Sequence, residues 1–293
     1  MMQPIATYSI VAYDPRRQEW GVATQSKFFG VGAVVPWARA GAGAVATQSY
    51  AHLLYGPGGL VLMEQGVPAD EALRRLTNAD EGRAQRQAGF VDRAGKAAAY
   101  TGDGCHSWAG HIVGEGYACQ GNILIPGTVE AMAQRFEELR AAGQGELADW
   151  LVATLAAAEA AGGDRRGRQS AAIIVVREGG GYGGNNDRYL DIRVDDHPDP
   201  VGELQRLLKL HHLYFGETDP DALVPLADVA AELQALLRRA GVYTGEVTGT
   251  FDEATRAALW DLVGTENLEE RWDGSGDKID RLALDYLFEH YPA

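Results

Sequence analysis

Hydroxyl, amide and ammonium side chains follow the predicted strands in the first part of the chain. Ser26 and Lys27 come at the end of a strand predicted over 19–26, and Gln48 and Ser49 end a later strand rich in alanine and glycine. A nearby ammonium lowers the pKa of an amine or a hydroxyl, because it favours the less positive form of that group. We therefore predict that these four residues line one cleft. For Lys27 the alternative is a solvated lysine at a strand end.

Asn122, in the segment CQGN, is a second candidate for chemistry. Its side-chain amide and the N–H of Gly121 are donors of the kind that form an oxyanion hole. The alternative is a turn in which the asparagine side chain bonds its own backbone. Asp164 and Arg168, in the segment GDRRGRQS, are predicted to form a buried ion pair, mainly structural, and are counted among the candidate binding residues.

The histidines and cysteines do not have the spacing of a metal site. His106, His111 and His197 stand near aspartates in the sequence, but no pair has the four-residue spacing of a zinc-binding helix. Cys105 and Cys119 are too few for a disulfide framework, so one disulfide or two thiols remain the alternatives. The glycine-rich segments lack a nucleotide-binding arrangement. The sequence predicts neither a metal nor a cofactor.

Charge and composition exclude several classes of protein. The 293 residues include 26 Lys and Arg against 41 Asp and Glu, a net charge of −15, whereas nucleic-acid binding requires clustered cations. Hydrophobic residues at 46% and charged residues at 23% indicate a globular protein. No apolar run reaches the roughly 18 residues of a membrane span, and no secretory leader is visible. We expect a cytoplasmic protein with no membrane or nucleic-acid partner.

The charge is unevenly distributed along the chain. Residues 213–293 hold 17 acidic and 6 basic residues, whereas 30 of the 37 glycines lie before position 213. Such a change in composition marks a domain boundary, and the segment 216–228, with two prolines and four acids, is typical of a linker. We predict a first domain over 1–212, a linker over 213–227 and a small helical domain over 228–293.

The first domain alternates predicted strands with pairs of predicted helices. The order is strands, a helix pair, four strands, a second helix pair, two strands and a helix. Two antiparallel sheets packed together, with helices covering both outer faces, would bury every apolar stripe. The pattern therefore predicts an α+β sandwich, whereas the last 66 residues predict a small all-α domain.

The motifs of the first domain resemble an uncharacterised bacterial family with an N-terminal-nucleophile (Ntn) hydrolase-like fold. They occur in unbroken order over residues 7–212 and include TYSIVAYD, GVATQSKFFGVG, GCHSWAGH, CQGN, GDRRGRQSAAIIVV and DIRVDDHPDPVGEL. The resemblance implies a four-layer αββα sandwich. It does not imply a measured activity.

Thr7 is the position at which this resemblance would place a nucleophile. An Ntn hydrolase uses the side chain of its first residue as nucleophile and the α-amine of that residue as general base. A free α-amine has a pKa of about 7.7–8.0, which suits this role. Six residues, Met1 to Ala6, precede Thr7 and would have to be removed. Otherwise Thr7 is activated by another group or is an ordinary strand threonine.

Residues 233–262 resemble a peptidoglycan-binding domain, with a helix, a glycine turn and a second helix after Asp252. Aromatic residues that could stack on sugars are Tyr243, Phe251, Trp260 and Trp272, although helical spacing predicts Trp260 to be core. The net charge of −11 over residues 213–293 opposes binding to anionic wall polymers.

Two hypotheses of function follow. The first is an amide-bond hydrolase for a small amide or a peptide, with Thr7 as nucleophile assisted by Lys27 and Asn122. The second is a non-catalytic αββα scaffold that binds a ligand or partner, with the C-terminal domain binding a peptidoglycan fragment or mediating dimerisation. A homo-oligomer is predicted in either case.

Overall fold

A computed structural model describes residues 7–292, which form two compact units, one up to Leu208 and one from Lys209. The strands of the first unit are β1 (Thr7–Asp14), β2 (Glu19–Ser26), β3 (Pro36–Arg39), β4 (Gly43–Ser49), β5 (Arg86–Asp92), β6 (Ala97–Thr101), β7 (Ala109–Gly114), β8 (Tyr117–Asn122), β9 (Ser170–Val176) and β10 (Arg188–Val194). Its helices are α1 (Tyr55–Glu64), α2 (Ala69–Ala79), α3 (Thr128–Ala142), α4 (Leu147–Ala160) and the first part of α5 (Pro200–Phe215).

These strands form two antiparallel sheets. The larger sheet has the order β10-β9-β2-β1-β8-β7, and the smaller has the order β3-β4-β5-β6. Strand β1 therefore lies in the middle of the larger sheet, with β2 and β8 as its neighbours. The register pairs Thr7 with Ser26 on β2, and Tyr8 with Gly121 on β8.

The alternation of side chains along each strand builds the layers, because successive residues face opposite sides of a sheet. On β1, Ile10 packs with Trp150 of α4 in one core, whereas Val11 packs with Val91 of the smaller sheet in another. On the outer side of the smaller sheet, Phe90 packs with Leu60 of α1. The α+β prediction and its αββα layer order are confirmed.

The two sheets approach closely at Gly89 on β5. A Cβ atom built there would lie 2.1 Å from Oε1 of Gln120 on β8. A side chain at position 89 would therefore require the Gln120 amide to move, so the two sheets lie close together at this point.

The second unit is mostly helical, as predicted, with one short ribbon of two strands. Its elements are the end of α5, β11 (Leu223–Pro225), α6 (Ala230–Arg239), α7 (Glu253–Thr265), β12 (Lys278–Asp280) and α8 (Arg281–His290). Asp252 accepts a hydrogen bond from the N–H of Thr255 at 2.8 Å and so caps α7, the helix predicted to follow it. The last helix begins at Arg281, directly after the residues from Lys278 to Asp280 pair in the ribbon.

The predicted linker, residues 213–227, takes part in this second unit. Helix α5 continues to Phe215, and β11 pairs with β12. Leu213, Val224 and Leu226 are buried in the core of the unit. The acidic, proline-containing composition that predicted a linker therefore belongs to a packed segment. No helix within residues 7–292 is both long and apolar enough to cross a membrane.

Candidate functional site

Thr7 is the first residue of the central strand β1, and its side chain faces the smaller sheet. The residue is fully buried. Its Oγ1 donates to Oγ of Ser26 at 3.1 Å, and its carbonyl oxygen accepts from Nε2 of Gln48 at 3.1 Å. Since Tyr8 pairs with Gly121, the next position along β8, Asn122, lies beside Thr7 on the same face. The structure thus gathers four of the predicted residues: Thr7, Ser26, Gln48 and Asn122.

A buried group of polar side chains, which we call the amide network, extends from this point between the sheets. Its members are Ser9, Gln48, Gln87, Gln120 and Asn122, each fully buried. Oε1 of Gln87 accepts from Nε2 of Gln48 at 2.9 Å and from Nδ2 of Asn122 at 3.0 Å. Ser9 donates to Oε1 of Gln48 at 2.5 Å and accepts from Nε2 of Gln120 at 2.6 Å. Because none of these groups ionises near neutral pH, the network is held by neutral hydrogen bonds.

Gln87 is the hub of the network, and the sequence analysis did not single it out. Its Nε2 donates to the carbonyl oxygens of Gly121 at 2.8 Å and of Gly110 at 3.1 Å. Part of the signal was present, because Ser9 and Gln120 are polar residues with uncharged strand neighbours, whereas Gln87 directly follows Arg86. Counting polar residues on the predicted inward face of each strand would have found them.

Lys27 does not join this cluster. Its side chain is exposed, its Nζ donates to the carbonyl oxygen of Arg168 at 3.3 Å, and its N–H donates to Oδ2 of Asp164 at 3.0 Å. The side chain of Ser26 points inward, toward the smaller sheet. By strand alternation, the side chain of Lys27, the next residue, points outward. The structure favours the alternative of a strand-end lysine and gives Lys27 no described contact with Thr7.

Ser49 is buried in a left-handed backbone conformation, with a φ of 67°. Such a conformation is uncommon for a residue with a side chain, and it bends the chain at the end of β4 directly after Gln48. By alternation Ser49 lies on the other side of the strand from Gln48. It therefore shapes the end of the strand rather than joining the amide network.

The cysteines and histidines lie apart from Thr7. Cys105 and Cys119 are free thiols, and burial raises the pKa of both, most strongly for the fully buried Cys119. His111 contacts Oγ1 of Thr101 at 2.8 Å, and burial lowers the pKa of its imidazole. Within the described part of the chain, no group of three or more potential ligands is placed to hold a metal ion.

The predicted ion pair between Asp164 and Arg168 is wrong. Asp164 pairs with Arg166 at 3.0 Å and accepts from the N–H of Arg166 at 2.9 Å, because it caps its own turn. Arg168 instead pairs with Glu159 at 3.3 Å and with Asp199 at 3.1 Å. Both Asp164 and Arg168 line a cavity on the helix side of the larger sheet, opposite the face that carries Thr7.

Comparisons with known proteins bear on both units. Residues 7–204 match the model of a family described as "Family of unknown function (DUF1028)", and residues 214–287 match one described as "Putative peptidoglycan binding domain". The crystal structure of a protein from Silicibacter pomeroyi, described with the DUF1028 family model, is 30% identical in sequence and superposes with a TM-score of 0.62. That match covers 71% of this chain and 89% of the other. No match was found among curated proteins.

Proposed function

The chain belongs to the family of unknown function (DUF1028), and we propose that its first unit is an amide-bond hydrolase with Thr7 as nucleophile. One observation carries the proposal. The Thr7 hydroxyl, at the start of the central strand, donates to Ser26 on one neighbouring strand, while Gln48 from the facing sheet bonds the carbonyl oxygen of Thr7 and Asn122 lies at the adjacent position of the other neighbouring strand. These neutral side chains hold Thr7 in one orientation, and they do not themselves titrate near neutral pH.

The proposed reaction begins with hydrolysis of the Ala6–Thr7 bond, which frees the α-amine of Thr7. Met1 to Ala6 lie outside the described residues. The neutral amine takes the proton of Oγ1 as Oγ1 attacks the substrate carbonyl carbon. The tetrahedral intermediate collapses to a threonine ester, and the leaving amine departs with that proton. Water then hydrolyses the ester, which releases the acid and restores the hydroxyl.

Two neighbours have positioning roles in this proposal. Ser26 holds the hydroxyl, and Gln48 fixes the carbonyl oxygen of Thr7, so the nucleophile has one orientation. One N–H of Asn122 donates to Gln87, and we assign the other to the oxyanion of the intermediate. The substrate class is a small amide or a peptide.

The mature N-terminus tests the first step. Intact-mass analysis of the purified chain should give a mass that lacks Met1 to Ala6, and sequencing should start at Thr7. Labelling with a β-lactone that acylates N-terminal threonine should modify Thr7 alone. Hydrolysis should rise with pH and level off above about 8, because the amine must be neutral to accept the proton.

Matched variants test the nucleophile. Thr7→Val keeps the shape of the side chain and should lower kcat/KM about a thousand-fold, whereas Thr7→Ser should retain activity. Thr24→Val is the control, because Thr24 is an equally buried threonine on β2. An intact leader together with absence of labelling would reject the hydrolase and favour the non-catalytic scaffold.

A second function concerns the second unit, and the match of residues 214–287 favours it. We propose that this unit binds peptidoglycan through Trp260. Trp260 was predicted to be core, but its side chain is 43% exposed and lies against Gly274. Tyr243 and Trp272 are buried and cannot stack on a sugar.

Sedimentation of the full chain with purified peptidoglycan tests this second proposal. Trp260→Ala should abolish co-sedimentation, whereas Leu282→Ala, an equally exposed apolar residue of the same unit, should not. Because the unit is acidic, moderate salt should strengthen binding to an anionic wall rather than weaken it. Failure of the wild-type chain to sediment at any salt concentration would reject the proposal.

A further inference from the structure

A cavity of about 440 Å³ lies on the helix side of the larger sheet, between β1, β2 and the end of α4. Its polar lining consists of Tyr8, Gln25, Glu159, Asp164 and Arg168. The remaining lining residues are small: Ala156, Ala160, Gly162, Gly163 and Gly167. The alanines at the end of α4 and the glycines after it leave the space open, because they have little or no side chain to fill it. The volume suits a ligand the size of a dipeptide or a monosaccharide.

Three buried polar atoms in this lining have no hydrogen-bond partner among residues 7–292. They are the hydroxyl of Tyr8, Nε2 of Gln25 and Oε1 of Glu159. Tyr8 is 0% exposed and Gln25 is 1% exposed, so bulk water does not solvate them. Buried polar groups normally have a partner, since an unsatisfied one destabilises the fold. Three such atoms in one cavity indicate a ligand that supplies their missing hydrogen-bond partners.

The strand register explains why two of these atoms are neighbours. Tyr8 on β1 pairs directly with Gln25 on β2, so both side chains stand side by side on the helix face of the sheet. Glu159 approaches from α4, where its other oxygen pairs with Arg168 at 3.3 Å. Gly163 has a φ of 56°, and a Cβ built there would lie 3.3 Å from the Tyr8 ring. Tyr8, Gln25 and Glu159 therefore line the cavity together, two of them from the sheet and one from α4.

The charges in the cavity select a neutral ligand. The carboxylate of Asp164 is taken up by Arg166, and that of Glu159 by Arg168. Burial raises the pKa of Tyr8, which keeps its hydroxyl as a neutral donor. The site thus offers two neutral donors and one acceptor oxygen, without an unpaired charge that would bind an ion.

We propose that this cavity binds an amide group. The carbonyl oxygen of the ligand accepts hydrogen bonds from Tyr8 and Gln25, and its N–H donates to Oε1 of Glu159. A carboxylate ligand would face Glu159, and an ammonium would face the two donors, so neither complements the site. Amides of this size occur in peptides and in N-acetylated sugars. The cavity is separate from Thr7, because Thr7 and Tyr8 face opposite sides of β1.

Calorimetric titration of the full chain tests the inference with two probes, N-acetylglycylglycinamide and N-acetylglucosamine. Binding of either probe, weakened at least tenfold by Gln25→Leu and by Tyr8→Phe, is the expected result. The probe that binds more tightly identifies the source as peptide or sugar. Absence of binding by both probes at 10 mM, or binding by the two variants as tight as by the wild type, would overturn the inference.

Two further measurements distinguish a ligand-binding role of these residues from a purely structural one. They also distinguish this cavity from the site of the proposed nucleophile. Without ligand, Tyr8→Phe and Gln25→Leu should raise the melting temperature by about 2–4 °C, because each removes an unsatisfied buried group. A fall in melting temperature would mean that the protein itself satisfies these atoms. Thr7→Val should leave the probe affinity unchanged. Loss of binding in Thr7→Val but not in Gln25→Leu would place the ligand at Thr7 and overturn the inference while leaving the hydrolase intact.

Discussion

The space between the two sheets has two halves of different chemistry, built by the same strands. One half is apolar and contains Val11, Val22, Ala44, Ala46 and Val91. The other half is the amide network that adjoins Thr7. Apolar burial stabilises the first half by about 25 cal/mol for each Å² removed from water. The second half lacks this apolar stabilisation. It is held instead by hydrogen bonds, each of which contributes only about 1 kcal/mol.

The two halves differ in how substitutions within them are expected to affect the protein. In the apolar half, the contacts between side chains have no preferred direction. A smaller residue therefore removes only the contacts made by the atoms that it lacks. In the amide network each group needs a specific partner, and removal of one leaves several others unsatisfied. Residues that hold Thr7 in place are therefore expected to be less tolerant of substitution than residues that only fill space.

The largest effect is expected at the hub of the network. Gln87→Leu keeps the volume of the side chain but removes the partners of two backbone carbonyls and of the amides of Gln48 and Asn122. The free energy of unfolding should fall by about 4 kcal/mol, measured by urea denaturation. Gln85→Leu, at an exposed position two residues earlier, should change it by less than about 0.5 kcal/mol. Similar effects in the two variants would show that the network does not behave as a unit.

A buried charge should behave differently from the neutral network. Burial raises the pKa of Glu19 from about 4.5 to about 7, although Arg177 lies 2.9 Å away and opposes the shift. The folded state then holds this proton more tightly than the unfolded state. Stability should therefore fall by about 3 kcal/mol as pH rises from about 4.5 through about 7.

Urea denaturation at several pH values, compared between the wild type and Glu19→Gln, isolates this group. The difference between the two proteins should change across that pH range. For Gln87→Leu the difference from wild type should not change with pH, because the network contains no group that titrates there. A pH-independent difference for Glu19→Gln would show that Arg177 compensates the burial.

In the apolar half, a truncation should have a moderate effect of its own. Val91→Ala removes two methyl groups from a fully buried position and should lower the free energy of unfolding by about 2.5 kcal/mol. The proposed hydrolytic activity should not change, because Val91 lies in the half away from Thr7. A loss of activity that exceeds the loss of folded protein would break the proposed separation.

The smallest effect is expected for Ser9→Ala, which removes one hydroxyl from the network. It leaves Oε1 of Gln48 and Nε2 of Gln120 without that partner and should destabilise the protein by about 1.5 kcal/mol. Combined with Gln48→Leu, its effect should be smaller than the sum of the two, whereas combined with Val91→Ala it should be additive. A double-mutant cycle by urea denaturation measures both couplings.

The layers of the first unit were predictable, because strand alternation and helical stripes are local properties of the sequence. The second helix pair, the two strands after it and the closing helix follow in the order that the pattern indicated. The cap at Asp252 was also predictable, since it depends on one side chain and the N–H three residues later. The resemblance to a known family implies the same layer order that the pattern of strands and helices predicted.

The site was only partly predictable, because its contacts join distant parts of the chain. Gln48 and Gln87 meet only after two strands pair, and no local pattern states which glutamine will face which. Asp164 pairs with Arg166 rather than with Arg168, because the turn that Asp164 caps brings Arg166 back toward its carboxylate. Trp260 has helical spacing typical of a core residue, but no element of the second unit covers it fully.

The close approach at Gly89 also predicts a relation between the residues found at positions 89 and 120 among members of the family. A methyl group at position 89 would overlap the present position of the Gln120 amide, so that side chain would have to move if alanine replaced Gly89. A relative with alanine at position 89 should carry a shorter side chain at position 120. The two positions are thus expected to covary, and variation at one of them should accompany loss of the hydrogen bond to Ser9.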